Sequence, residues 1–205
     1  MSEPVLPGHD GHPPPLGVLL AGGRGRRLGG GKAVTVLAGR PMALWALDAL
    51  RAVCDQVVVA AKGPPDPSLL PPLPAGVARW DEPPEPRHPL AGLVAVMVRA
   101  GGRPVLCCPV DLPLIDPDTL RVLLGARGNA PAVVAAGPTG EAQPLLGLYE
   151  SSAVLTLRRA PDGVRVLRWV LDELEARLVP VAAEALRNVN RPEDLAAARA
   201  ALSRR

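Results

Sequence analysis

The sequence predicts an α/β fold: a three-layer sandwich around a mostly parallel, Rossmann-like sheet. Three observations carry this. Short apolar runs alternate with longer segments of helical period. Glycine and proline, 21 and 26 residues respectively, stand mostly between those runs, where turns belong. Apolar residues make up 48% of the 205-residue chain and aromatic ones only 2%, with no Phe, so the core must be built from Leu, Val and Ala.

The elements follow in order. Residues 1–14, polar and proline-rich, read as a disordered tail, and 15–205 as one domain. Leu16–Leu20 is a strand that ends at a glycine loop. Pro41–Val53 is a helix with proline in its first turn. Gln56–Ala61 is a second strand, followed by a proline-rich surface connection, Gly63–Pro74. Val77–Trp80 is a short strand ending at Asp81. Leu90–Ala100 is helical. Pro104–Val110 is a buried strand that stops at Asp111. Asp116 caps a helix over 116–124, with Pro117 in its first turn. Pro131–Ala136 and Pro144–Tyr149 are strands, Ser151–Arg159 and Val164–Glu175 helices, and Leu178–Val181 a short strand. Arg191–Ser203 closes the chain as a helix.

Composition narrows the function. The formal charge is only +3, and the basicity is local. Between Gly11 and Leu47 there is no acidic residue, yet Arg24, Arg26, Arg27, Lys32 and Arg40 fall there. A concentrated positive site suits a small polyanion better than a nucleic acid duplex. Cys54, Cys107 and Cys108 have neither metal-site spacing nor a disulfide framework, which fits buried thiols in a reducing cytoplasm. No run of roughly 18 apolar residues would span a membrane.

The loop reads LAGGRGRRLGGGK, Leu20 to Lys32. Its glycines let backbone N–H groups face phosphate oxygens closely, and its cations add charge-assisted bonds. It is not a P-loop: that pattern needs glycine where Arg26 stands and Ser or Thr where Ala33 stands. Nor is it a dinucleotide fingerprint, since Leu28 occupies the third glycine place after Gly23 and Gly25. Of the 23 basic residues only Lys32 and Lys62 are lysines, so a compact ammonium follows these glycines in a sequence that otherwise writes arginine. Asp111 also follows a strand directly. Ligands of such sheets bind beyond the carboxyl ends of the strands, which puts loop and carboxylate on one edge.

LAGGRGRRLGGGK resembles the signature loop of the nucleotidyltransferase superfamily that includes the molybdenum cofactor guanylyltransferases. Further segments keep the family's order: HPLAGLVAVM (88–97), CCPVDLPLI (107–115), QPLLGLY (143–149) and NVNRPEDL (188–195). The resemblance implies the nucleotide-diphospho-sugar transferase type of fold. It implies transfer of GMP from GTP to the phosphate of molybdopterin, with release of pyrophosphate. Leu20, Ala21, Gly22, Gly23, Lys32, Asp81 and Asp111 would bind the nucleotide. Arg27, Lys32 and Asp111 would carry catalysis, Asp111 would hold Mg²⁺, and Asn188 and Asn190 would face the pterin. For Asp81 a surface turn, and for the two asparagines helix capping, are the structural alternatives. The resemblance points to GTP and molybdopterin as partners, with molybdoenzyme maturation proteins as further ones. Cytidylyl transfer to the same pterin, another small-molecule phosphate acceptor, or a non-catalytic nucleotide-binding accessory protein are the competing readings. The chain departs from the family in four places. Ala60 stands where Asn is frequent, Gln143 where His is frequent, Gly31 precedes Lys32 where Asp is usual, and the loop is slightly short.

Overall fold

A computed structural model describes residues 13–22, 30–83, 90–160 and 166–204. Within them the sheet has seven strands in the order β5-β4-β1-β6-β8-β7-β9. These are β1 (Leu16–Leu20), β4 (Val57–Lys62), β5 (Ala78–Glu82), β6 (Val105–Pro109), β7 (Ala132–Ala136), β8 (Ala142–Tyr149) and β9 (Arg177–Pro180). β1 is paired in parallel with both β4 and β6, β4 with β5, and β7 with β9; β8 alone runs antiparallel to its neighbours. The expected mostly parallel sheet is therefore present, with one reversed strand.

β1, β6 and β7 are apolar along their whole length, and β4 up to Lys62, because both faces are covered, as parallel sheets require. Leu19, Val57, Val59, Leu106 and Cys108 point to one face, against helices α1 (Met42–Arg51) and α3 (Pro117–Gly125). Val18, Leu20, Val58, Ala60 and Cys107 point to the other, against α2 (Ala91–Arg99), α4 (Val154–Arg158) and α5 (Val166–Glu173). This is the three-layer sandwich. Each fully buried Leu, such as Leu47 of α1, contributes about 1.5–3 kcal/mol through removal from water.

A smaller cluster holds the chain's end in place. Leu37, Met42, Leu114 and Val189 pack with Ala198 and Ala201 of α6 (Pro192–Leu202). Leu37 belongs to a two-stranded ribbon, β2 (Val36–Leu37) and β3 (Arg40–Pro41), which the apolar pattern does not anticipate. Its turn residues, Ala38 and Gly39, both have positive φ, the requirement of a tight two-residue hairpin.

Other differences lie at element ends. β5 runs on through Asp81 and Glu82, two residues past the expected stop. Ser151–Ala153 is a 3₁₀ turn leading into α4, and β8 starts at Ala142. Of the expected N-terminal tail, Pro13 and Pro14 are described; their carbonyls accept hydrogen bonds from Arg127 (2.8 Å) and Arg103 (3.5 Å). Residues 1–12 lie outside the described residues, as do 23–29, 84–89, 161–165 and 205. No described helix is long and apolar enough to cross a membrane.

Candidate active site

The carboxyl ends of β1 and β6 are joined by backbone. Val110 N–H donates to the Leu20 carbonyl at 3.1 Å, and Ala21 N–H donates to Ala60 O of β4 at 2.8 Å. The start of the glycine loop is thus fixed between β4 and β6. Its far end returns to the same edge. Gly30 and Gly31 have φ of +93° and +61°, and Gly31 O accepts from Val34 N–H (2.9 Å) and Thr35 N–H (3.1 Å), forming the turn that presents Lys32.

Lys32 is the hub. Its Nζ lies 3.1 Å from Asp111 Oδ2 and donates at 2.5 Å to Asn190 Oδ1. Both charged side chains are sheltered but reachable, with 13% of Lys32 and 24% of Asp111 exposed. The fold brings together three residues separated by up to 158 positions in sequence. The compact ammonium explains the lysine: it serves two acceptors at once from a single point, which a planar guanidinium fork does less well.

Asp111 and Asn190 are positioned by backbone. Val189 N–H donates to Asp111 O at 2.8 Å, and the Val189 side chain is fully buried in the α6 cluster. Asp194 Oδ2 accepts from both Asn190 N–H and Arg191 N–H at 2.8 Å. These two bonds hold the Asp194 carboxyl below its ordinary value, with the Arg191 and Lys32 charges adding to the same effect. Asp194 therefore caps α6 from its first turn, at Arg191, and the same carboxyl fixes the backbone of Asn190, whose side chain meets Lys32. Asn188 is half-buried beside it.

Asp116 caps α3 by accepting from Thr119 N–H at 2.7 Å, the structural role expected of it. Asp81 is not joined to the Lys32 cluster. Its side chain is 73% exposed and pairs with Arg79 at 2.5 Å. Ala60 is wholly buried in β4 between Leu20 and Trp80. Arg27 and Gly23 fall outside the described residues, as do His88 and Pro89 of the HPLAG segment.

Two features escape the sequence pattern. Gly31, where Asp is usual, has left-handed backbone, and a Cβ there would run into the Ser68 carbonyl oxygen and Val34. The proline-rich connection after β4 thus abuts the loop and admits only glycine. The second is Glu82. It is 8% exposed, and burial pushes its carboxyl above the ordinary value while the nearby Lys62 charge opposes that rise. The signal that could have found it is strand alternation: carried two residues past Trp80, it turns Glu82 inward and Asp81 out.

The described cluster brings one ammonium, one carboxylate and one amide, from Lys32, Asp111 and Asn190, to a single point that is reachable from solvent. The family model described as MobA-like NTP transferase domain matches residues 17–198. A molybdenum cofactor guanylyltransferase from Cereibacter sphaeroides is 34% identical over 193 residues, covering 91% of this chain and 96% of that one. One from Acidiphilium cryptum is 36% identical, covering 89% and 93%. Among solved structures, molybdopterin-guanine dinucleotide biosynthesis protein A from Archaeoglobus fulgidus superposes with a TM-score of 0.73 at 24% identity, covering 93% of this chain and all of that one. A 2-C-methyl-D-erythritol 4-phosphate cytidylyltransferase from Thermus thermophilus superposes with 0.69 at 21% identity, covering 92% and 98%. These two likenesses establish a shared fold, and the sequence matches establish kinship: the chain belongs to the MobA-like NTP transferase domain family.

Proposed function

We propose that this protein transfers GMP from GTP to the terminal phosphate of Mo-molybdopterin, forming the guanine dinucleotide cofactor. A phosphate oxygen of the pterin forms a new bond to the α-phosphorus. The bond from that phosphorus to the α–β bridging oxygen breaks, and pyrophosphate leaves with its electron pair. The acceptor phosphate is already ionised, so no general base is needed. What remains for the protein is positioning and charge stabilisation.

The observation that carries this reading is the Lys32 ammonium standing between Asp111 and Asn190. One partner follows the strand beside the nucleotide loop, and the other belongs to the segment we assign to the pterin. A phosphate from each substrate could meet at that cation. The names of the relatives support GTP and the pterin as the pair.

A divalent cation fits Asp111. Its oxygen already faces a cation, the Lys32 ammonium, and its backbone is locked by Val189. The described residues contain no group of three or more His, Cys, Asp or Glu that would hold an ion alone. A single carboxylate suits Mg²⁺, which keeps waters and takes further ligands from phosphates. When bound, Mg²⁺ would neutralise charge on the triphosphate. Lys32 would then turn from Asp111 toward the phosphates, and Asn190 would steer it. Arg27 we assign to the triphosphate, and the cytoplasm to the protein, with molybdoenzyme maturation proteins as recipients of the product.

The test is turnover of purified protein with molybdopterin, Mg²⁺ and either GTP or CTP, followed by pyrophosphate release and detection of the dinucleotide. GTP-dependent product is expected. Faster turnover with CTP would assign cytidylyl transfer, and nucleotide binding without pyrophosphate would make the chain an accessory binding protein.

A further inference from the structure

Glu82 is a buried carboxyl without a hydrogen bond to any other described residue, and the fold makes room for it twice. A Cβ built on Gly22, in the nucleotide loop, would come within 2.5 Å of Glu82 Oε2 and 2.7 Å of Oε1; one on Gly92, in the first turn of α2, within 2.5 Å of Oε1. Two glycines from separate elements thus leave both faces of one carboxyl to bare backbone. A buried carboxyl calls for hydrogen-bond donors, and the described residues supply it none.

The position says what would satisfy it. The phosphate end of the site, Lys32 and Asp111, lies beside β6. Glu82 ends β5, on the opposite side of β1. Three strand spacings of about 4.8 Å separate the two strands, a span on the scale of a nucleotide from α-phosphate to base edge. A carboxylate repels phosphates and needs N–H or O–H donors. Guanine presents N1–H and N2–H₂ side by side, a match for both oxygens; cytosine offers one amino group beside an acceptor nitrogen. The family's frequent Asn is replaced here by Ala60, whose side chain is buried in the sheet, so base recognition must draw on another group.

We infer that Glu82, resting between Gly22 and Gly92, is the specificity-determining residue that accepts the N1 and N2 hydrogens of the guanine base. The inference rests on the guanylyl reading above. It gives the base to the buried neighbour of exposed Asp81, the residue expected to contact the nucleotide.

Affinity of wild type, Glu82→Gln and Glu82→Asp for Mg·GTP, Mg·ITP and Mg·dGTP tests it. ITP lacks only the N2 amino group, and dGTP lacks only the ribose 2′-hydroxyl. Wild type should prefer GTP over ITP by about 10-fold or more, the scale of one hydrogen bond to a charged acceptor. In Glu82→Gln, GTP affinity should fall about 10- to 100-fold and the GTP/ITP preference should collapse toward one, with the GTP/dGTP ratio unchanged. Glu82→Asp, one methylene shorter and still charged, should lie between. An unchanged GTP/ITP ratio in a folded Gln or Asp variant would overturn the inference alone. So would a changed GTP/dGTP ratio, which would put the carboxylate on the ribose. Wild type that binds CTP and not GTP would overturn both this inference and the guanylyl reading.

Discussion

Lys32 donates to Asp111 and Asn190 at once, so its replacement should do more than remove one charge. Lys32→Ala is expected to lower the rate of pyrophosphate release about 100- to 1000-fold, the scale of one lost electrostatic contact in a preorganised site. Lys32→Arg should recover little of it, because a planar fork cannot reproduce a point charge shared between acceptors on two elements. Recovery to near wild-type rate in the arginine variant would remove the geometric part of the argument. Glu82 supports a second prediction, on stability. Its carboxyl is raised by desolvation in the folded state, so between the ordinary value near 4.3 and the raised one the folded protein binds more protons than the unfolded chain. Stability should therefore be greatest below that window and be lost as pH rises through it. Urea unfolding across pH should show wild type losing stability relative to Glu82→Gln over that window, and saturating Mg·GTP should narrow the difference. Parallel curves for the two proteins would mean that the carboxyl is not strained by burial.

At the scale of elements, the loop–strand junctions decide what the site can be. Lys32 and Asp111 could be read from sequence because each follows a strong local signal: glycines in one case, an apolar strand in the other. The register that joins them follows from parallel pairing of β1 with β6. Glu82 was illegible for a corresponding reason. The expected β5 stops at Trp80 and leaves Glu82 outside the strand, whereas the ladder to β4 continues through Asp81 and Glu82. Strand ends depend on a neighbour's hydrogen bonds, which local propensity does not contain. The ribbon β2–β3 was missed likewise, since strands of two residues carry no period. Gly31 is a third case: its requirement comes from Ser68, 37 positions away, in a segment that reads only as proline-rich. Gly31→Ala must adopt left-handed backbone and displace the Ser68 carbonyl. It is expected to cost more than about 1 kcal/mol in denaturant unfolding and to weaken Mg·GTP binding through misplaced Lys32. Gly39→Ala, equally left-handed but with open space around its Cβ, separates the two effects: it should lose stability only. Equal loss of GTP affinity in both variants would show that the Ser68 contact does not set the loop.

At the scale of the whole molecule, the central strand offers a way to read folding and ligand binding together. Cys107 and Cys108 sit side by side in β6, point to opposite faces of the sheet and are fully buried in the two apolar layers. Burial pushes the Cys107 thiol up to about 12 and Cys108 well above its ordinary value, and Cys54, behind β1, is likewise pushed up to about 12. The thiolate is the reactive form, so none of the three should react in the folded protein at pH 8. Since β6 is flanked by β1 and β8, no fraying edge exposes it, and its thiols become accessible only through opening of the whole sheet. Labelling of Cys107 and Cys108 under native conditions should then track the global unfolding equilibrium when closing outpaces labelling. A ligand that binds only the folded state lowers that equilibrium by RT ln(1 + [L]/Kd), about 2.7 kcal/mol at 100 times Kd. Mg·GTP at that concentration should slow labelling about 100-fold, and the Lys32→Ala variant should lose most of the protection at the same concentration. Rapid labelling of Cys107 without denaturant, or protection by GTP that persists in the Lys32 variant, would contradict the coupling of the β1–β6 edge to the stability of the sheet that presents it.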